Sequence, residues 1–230
     1  MPIALKTSPA VPAASLSDGG LADSALEPRW ERRKDARPLE LVNAALELFV
    51  ERGFSSTRLD DVAKRAGVSK GTLYLYFDSK DDLFKAVVRE GIVSRIAVFE
   101  QYLKDSNASA TVLLAELIRA WWDQIASTKL GGISKLMLSE AGNFPELAKF
   151  YNVEVMMRGC GLFKTVMERG MASGEFRQVE TEYAERVASA PMVMLMLWRN
   201  SFDLCCGVSV DPERYLATYT EMMIRALKAD

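Results

Sequence analysis

Residues 55–84 read SSTRLDDVAKRAGVSKGTLYLYFDSKDDLF, and this stretch decides the fold of the N-terminal part of the chain. Residues 59–66 have the apolar spacing of a short helix. Gly67 suits a sharp turn, because glycine takes a positive φ without a Cβ clash. Ser69 is a good N-cap for a second helix that ends near Leu75. Two short helices joined by a glycine turn predict a helix-turn-helix.

The side chains of this stretch divide into an inner set and an outer set. The inner set would lock the two helices together and comprises Val62, Ala63, Val68, Leu73 and Phe77. Thr57 and Asp60 have the spacing of a capping box, so we expect Thr57 to be the N-cap of the first helix. The second helix is short and exposed, like the one that enters a DNA major groove in this motif. Its outward side chains would be Lys70, Gly71, Thr72, Tyr74 and Tyr76.

The order of residues is more specific than a general helix-turn-helix. The pattern VAKRAGVSKGTLYxYFxSKxxLF, preceded by AALELFVERGFSST at 44–57, resembles the N-terminal domain of the TetR/AcrR family of bacterial transcription regulators. The resemblance covers roughly residues 36–86, and the one departure is Tyr76, where the family often has His. It implies that the residues nearest the bases are Lys70, Gly71, Thr72 and Tyr74. It implies that phosphates are held by Thr57, Ser69, Tyr76 and Lys80, and that Arg58 belongs to the same DNA-binding surface.

The charge distribution agrees with a DNA-binding head. The whole chain has a net charge of −2, but residues 29–80 carry eleven basic and eight acidic side chains, a net charge of +3. Residues 81–230 carry a net charge of −3. A basic head on an acidic body indicates that only the head meets phosphate. The basic cluster at 29–37 is either a solvated lead-in to a helix or an arm that lies along DNA.

The composition excludes several kinds of site. The chain has no His and only three Cys, which rules out zinc sites built on His or on four Cys. Without a Gly-rich phosphate loop or an activated nucleophile, the sequence predicts no enzyme, no cofactor and no metal. Cys205 and Cys206 are read as buried apolar residues, with a redox role or an intersubunit bridge as the alternative.

The ends and the interior of the chain suggest where it works and how it is divided. Residues 1–28 are rich in Pro, Ala, Ser and Gly and predict a disordered tail rather than a signal peptide. No apolar run approaches the ~20 residues of a membrane span, so we expect no membrane association and a cytoplasmic location. We expect a helix-turn-helix domain over 29–80 and a ligand-binding and dimerisation domain over 81–230.

Every segment of the second domain reads as helical, so the predicted architecture is all-α. The N-terminal domain has three small helices, of which the first has Pro38 near its first turn and ends at Gly53. A long helix from about residue 80 to 103, capped by Ser79, connects it to a helical bundle. The expected bundle helices cover 110–128, 133–141, 144–171, 180–204 and 212–228, with Gly131 and Gly132 in a break and Pro191 kinking or dividing its helix.

The second domain offers candidates for an effector site and for a dimer interface. Residues 135–151 resemble the regulatory domain of an AcrR-like branch, whose members typically hold an apolar cavity. Met and Trp side chains suit a permissive pocket, and the chosen set is Trp122, Met137, Met157, Met196 and Trp198. The same residues could instead be filled core. Asp123, Glu140 and Glu154 could place a carboxylate at the pocket edge. The resemblance implies a homodimer through residues 180–228, and packing within one subunit is the alternative.

These observations together predict a homodimeric transcription regulator and favour a repressor. It would be released from a pseudo-palindromic double-stranded DNA operator by a small hydrophobic effector. The alternative is a regulator whose C-terminal domain binds a protein partner, which a bundle without a cavity would favour.

Overall fold

The computed structural model describes residues 29–203 and 210–229, with backbone alone for residues 29–37. The predicted tail at 1–28 and the Cys205–Cys206 pair lie outside these residues. Within them every regular element is helical, and one isolated bridge pairs Phe176 with Lys228. The helices are α1 (Arg29–Arg52), α2 (Leu59–Arg65), α3 (Lys70–Tyr74), α4 (Lys80–Val88), α5 (Ser94–Asp105), α6 (Ala110–Trp121), α7 (Lys129–Glu140), α8 (Pro145–Tyr151), α9 (Arg158–Ser173), α10 (Thr181–Ser201) and α11 (Pro212–Leu227). The predicted all-α architecture, with an N-terminal helix-turn-helix, is therefore confirmed.

An aromatic cluster forms the core behind the helix-turn-helix. Phe49 of α1, Phe54 and Phe84 of α4 are buried, with ring centroids 5.4–5.5 Å apart. Phe144, just before α8, lies edge-on to Phe54 at 4.7 Å. Such edge-to-face pairs add to the apolar area that they bury. The cluster therefore joins α1 and α4 to a residue of the C-terminal bundle.

Two of the three predicted helix caps are present. The Ser69 hydroxyl accepts the Thr72 amide at the start of α3, and the Ser79 hydroxyl accepts the Asp82 amide at the start of α4. The prediction for Thr57 is wrong, because α2 begins at Leu59 with Arg58 as its N-cap residue. The Thr57 side chain is buried, and its hydroxyl donates to the Gly53 carbonyl at 2.7 Å, with the Leu48 carbonyl at 3.2 Å. Thr57 thus ties the loop to the end of α1.

Helix α1 is longer than predicted. It begins at Arg29, so Pro38 lies inside the helix rather than in its first turn. Proline keeps helical φ and removes a single donor, which a helix of 24 residues tolerates here. Gly53 ends the helix as predicted, with φ of 81° and its amide bonded to the Phe49 carbonyl at 2.9 Å.

The expected break at Gly131 and Gly132 is also wrong. Both lie in the first turn of α7, which begins at Lys129. A β-carbon at 132 would stand 2.8 Å from Cγ1 of Val50 in α1, and one at 131 would collide with the Ala126 carbonyl oxygen. The two glycines therefore allow α7 to approach α1 and the end of the preceding turn, where any side chain would be in the way.

The remaining helices form a bundle in which three π-helical turns interrupt the α-helical hydrogen bonding. These turns are Arg89–Val93, Trp122–Ala126 and Asn152–Met157. Helix α9 packs against α10 and α6, and α11 packs against α6. Pro191 was expected to kink or divide its helix; α10 is not divided there, and the Tyr215 hydroxyl of α11 donates to the Pro191 carbonyl at 2.9 Å.

Candidate DNA-binding surface and effector cavity

Helix α3 presents a short polar surface and is held in place by one buried side chain. Leu73 is fully buried and fixes the helix against α2, whereas Tyr74 is 44 % exposed. Lys70 and Gly71 are exposed and Thr72 is half-buried. A β-carbon at Gly71 would have the Ser69 hydroxyl oxygen as its nearest neighbour, at 3.8 Å. The other four residues of α3, which are those expected nearest the bases, are therefore at least partly accessible to DNA.

Lys70 is already paired in the free protein. Its ammonium lies 2.8 Å from a carboxylate oxygen of Asp60, and both side chains are 60 % exposed. The hydrogen bond and the charge of Asp60 raise the pKa of Lys70. Exposed ion pairs are screened by solvent and contribute little to stability, so DNA can replace this partner at small cost.

Lys80 has an interaction that the sequence did not predict. Its ammonium donates to the carbonyls of Phe54 at 2.8 Å and Ser55 at 3.2 Å, and it stands 4.5 Å from the centroid of the Phe54 ring. Partial burial lowers the pKa of Lys80. The side chain thus fastens the start of α4 to the loop after α1, and one of its three N–H donors is left for another partner.

The other expected phosphate contacts differ in their accessibility. Ser69 and Arg58 are exposed, and Arg58 forms no ion pair with any residue that the structure describes. Tyr76 is half-buried against the core. Thr57 is only 1 % exposed, so its hydroxyl cannot reach a phosphate in this conformation, which corrects that expectation.

An ionic network joins the helix-turn-helix to the bundle. Glu47 of α1 accepts from Lys129 of α7 at 2.6 Å and from Arg65 of α2 at 3.2 Å. Arg65 also reaches Glu51 at 3.0 Å. These hydrogen bonds, Lys129 first, lower the pKa of Glu47. The start of α7 therefore contacts the DNA-binding head through both charge and the Val50–Gly132 approach.

An apolar cavity of about 100 Å³ lies in the bundle. Helices α5, α6, α7, α9 and α10 contribute to its wall. Each of the three π-helical turns also supplies lining residues, among them Ile92, Ile125 and Met156. A π turn shifts the side chains that follow it around the helix axis, and such turns are frequent at functional sites. The polar part of the wall includes Ser134 and Tyr151, whose hydroxyls are 2.8 Å apart. Burial raises the pKa of Tyr151 to about 12.

Comparison with known proteins identifies the family. The sequence pattern of "Bacterial regulatory proteins, tetR family" matches residues 41–87. That of "AefR-like transcriptional repressor, C-terminal domain" matches residues 112–225, so the two cover more than two thirds of the chain. The chain belongs to the TetR family. It is accordingly a DNA-binding transcription regulator and not an enzyme.

Individual TetR-family relatives support this assignment. The fatty acid metabolism regulator protein of Bacillus subtilis (strain 168) is 27 % identical over 148 residues, 64 % of this chain and 74 % of the relative. The structure of FadR from Bacillus subtilis in complex with stearoyl-CoA aligns with a TM-score of 0.71 at 22 % identity, covering 82 % of this chain and 98 % of that one. A transcriptional regulator from Saccharomonospora viridis in complex with choline aligns with a TM-score of 0.69 at 20 % identity, covering 86 % and 100 %. At these identities the two structures bear on the fold alone.

Most of the effector residues predicted for this TetR-family chain do not line the cavity. Met196 lines it, but Trp122 and Met137 are buried elsewhere in the core. Met157 is 62 % exposed, and Trp198 packs on Phe202 with ring centroids 5.2 Å apart. The lining instead includes the adjacent Trp121 and Met156, and also Met192. A shift of one residue rotates a side chain by about 100°, so the predicted helix faces were out of phase.

Sequence reasoning also missed Arg95, which lines the cavity. Its signal was present in the pattern, since it interrupts the apolar positions Ile92, Ile96 and Phe99 on one helix face. None of Asp123, Glu140 and Glu154, the carboxylates that were expected at the edge, lines the cavity.

Two further kinds of site are absent from the residues that the structure describes. None of their helices is long and apolar enough to cross a membrane. They contain no group of three or more His, Cys, Asp or Glu side chains placed to hold a metal ion.

Proposed function

We propose that this TetR-family protein is a homodimeric, cytoplasmic repressor that leaves its operator when a hydrophobic small molecule occupies the cavity. The proposal that a small molecule controls DNA binding is supported by the position of helix α7. It supplies Ser134 and Leu138 to the cavity wall, and its first turn packs Gly132 on α1 and pairs Lys129 with Glu47. One rigid helix therefore touches both the cavity and the DNA-binding head.

The accessible side of α3 would enter the major groove, with Lys70, Gly71, Thr72 and Tyr74 nearest the bases. Hydrogen bonds at helix N-termini position a protein on phosphate, whereas base-edge contacts set its sequence preference. The phosphate contacts would come from Arg58, Ser69, Tyr76 and the remaining N–H donor of Lys80. Thr57 would support this surface only from inside, by holding the loop before α2.

The dimer would form through α10 and α11, within residues 180–228. Three apolar side chains of α10 recur on one face at intervals of four and seven residues and are left uncovered: Tyr183 at 61 %, Val187 at 67 % and Met194 at 48 % exposed. Met222 of α11 is 65 % exposed. A stripe of this kind is what a two-fold axis can bury against its own copy. Two copies of α3 would then face two half-sites about 34–36 Å apart.

Release follows from a difference in affinity. An effector lowers operator occupancy only if it binds the DNA-incompetent conformer more tightly than the DNA-competent one. By linkage, operator DNA must weaken effector binding by the same factor. The alternative is a regulator whose C-terminal domain binds a protein partner and no small-molecule effector. A bundle with a filled core would favour that alternative, whereas this bundle contains a cavity.

The test begins with operator selection from random duplexes by the full-length protein. Binding to the enriched duplex is then followed by fluorescence anisotropy at several salt concentrations. We expect a two-fold-symmetric consensus, dimeric stoichiometry and a log–log salt slope of about −0.9 for each phosphate contacted. Enrichment of a site without two-fold symmetry would contradict the dimeric reading, and no enrichment at all would contradict sequence-specific binding.

A further inference from the structure

The formal charge in the wall of the cavity is positive. Among the described residues that line it, Arg95 is the only one with a formal charge. The three carboxylates that were expected at its edge have other partners. Asp123 pairs with Arg119 at 2.7 Å, Glu140 accepts from the Asn143 side chain at 2.8 Å, and Glu154 is 3.8 Å from Arg158.

Arg95 has no counter-ion in the part of the chain that the structure describes. It is half-buried on α5, and its guanidinium donates to the Gly91 carbonyl one turn earlier. A guanidinium has five N–H donors in a planar fork, so most of its hydrogen-bonding capacity is unused by that one bond. Charged groups that lose part of their hydration are stabilised by pairing with an opposite charge. An anion inside the cavity would supply that pairing for Arg95.

We propose that the effector is an amphipathic carboxylate, with its anionic head on Arg95 and its apolar chain among residues such as Phe99, Trp121 and Met192. This inference rests on the proposed effector cavity and names the charge of the ligand that fills it. A carboxylate matches the guanidinium fork with two parallel hydrogen bonds. A cationic ligand would bring like charge to Arg95 and would meet no carboxylate in the wall.

The size of the cavity limits the chain of a test ligand. Its volume of about 100 Å³ is somewhat below the ~150 Å³ of an engineered cavity that binds benzene. A chain of about eight carbons must therefore widen the cavity modestly, and a longer one must widen it more. Probes with eight-carbon chains are therefore used, because they require less widening of the cavity than longer chains would.

The experiment compares octanoate, octan-1-ol and octylammonium, which share a chain and differ in head-group charge. Binding to the full-length protein is followed by tryptophan fluorescence, since Trp121 lines the cavity, and by calorimetry. We expect the Kd of octanoate to be lower than that of octylammonium by a factor of about 10 or more. Hydrogen bonds to charged groups are strong enough that Arg95→Gln should weaken octanoate binding by about 10–100-fold. The affinity for octan-1-ol should stay within about twofold, which also shows that the variant is folded.

Arg89→Gln is the matched control. Arg89 belongs to the π turn that precedes α5, is exposed, lies 5.0 Å from the Phe150 ring centroid and does not line the cavity. Its replacement should leave all three affinities unchanged.

Octanoyl-CoA serves as a fourth probe, because it carries its negative charge on phosphates. If the protein prefers octanoyl-CoA to octanoate and keeps that preference in Arg95→Gln, the carboxylate assignment is overturned. Equal binding of octanoate and octan-1-ol, or tighter binding of octylammonium, would refute this inference but leave the effector cavity intact. If none of the probes binds, the effector part of the proposed function fails with it.

Discussion

Replacing Gly71 by Ala should separate the stability of the protein from its affinity for DNA. Gly71 is the second residue of α3 and is exposed, and the added methyl group would have no neighbour closer than 3.8 Å. Alanine is more favourable than glycine within a helix by up to about 1 kcal/mol, and somewhat less near a helix end. We therefore expect the free energy of unfolding to rise by about 0.3–1 kcal/mol. For a protein of this size that corresponds to roughly 1–4 °C in Tm.

The same methyl group should weaken operator binding. If the α3 backbone approaches the bases closely, the added carbon overpacks that contact, at a cost of about 1–3 kcal/mol. The expected loss is thus about 5–150-fold in Kd, measured by fluorescence anisotropy on the selected operator, with Tm measured by calorimetry.

Gly161→Ala provides the control for this experiment. Gly161 lies in α9, where an added β-carbon also has no neighbour within 4 Å. This variant should gain comparable stability and keep wild-type operator affinity. If Gly71→Ala were stabilised and still bound the operator as tightly as wild type, α3 could not approach the bases at this residue. The proposed DNA-binding geometry would then be wrong.

Four further predictions test the other contacts. Lys80→Met should lower stability by about 1–3 kcal/mol through its lost hydrogen bonds, and it should reduce the salt slope of operator binding by about one; an unchanged slope would limit Lys80 to a structural role. Met222→Glu should give monomers in sedimentation velocity and weaken operator binding, because it buries a carboxylate beside its own copy, whereas Val98→Glu, at an equally exposed position of α5, should remain dimeric. The pKa of Glu47 is lowered in the folded state, so its stabilising contribution is complete above the ordinary glutamate pKa of 4.5 and is lost as the pH falls through the folded pKa; Glu47→Gln should therefore flatten the acid limb of a plot of Tm against pH. Thr72→Val should change the consensus returned by operator selection, and an identical consensus would exclude Thr72 from base reading.

The sequence predicted those features of the fold that depend on local interactions. Ser69 and Ser79 cap their helices with their own hydroxyls, and Gly53 ends α1 because it can take a positive φ, so the sequence reveals these three directly. Thr57 failed as a cap because its hydroxyl bonds to the end of α1, a partner that the capping motif does not show. Gly132 was read as a break because its close neighbour, Val50, is distant in the sequence.

The cavity was predicted as a feature, but of the five predicted lining residues only Met196 lines it. Amphipathic patterns fix which helix face is buried, but they do not distinguish filled core from cavity wall. Trp122 and Met157 were each one residue away from Trp121 and Met156, which line the cavity. The π turns contribute to this error, because each one changes the phase of the helix that contains it.

The close approach of Val50 to Gly132 has a consequence for engineered hybrids of such regulators. An exchange of DNA-binding heads between relatives brings a foreign residue to position 50 while position 132 stays with the recipient. A β-carbon at 132 would lie 2.8 Å from the valine methyl, so even alanine there is incompatible with Val50 in its present place. A side chain bulkier than valine at 50 would push the two modules apart in the same way. Functional chimeras should therefore be those in which residue 132 is exchanged together with the head, so that both positions come from one parent.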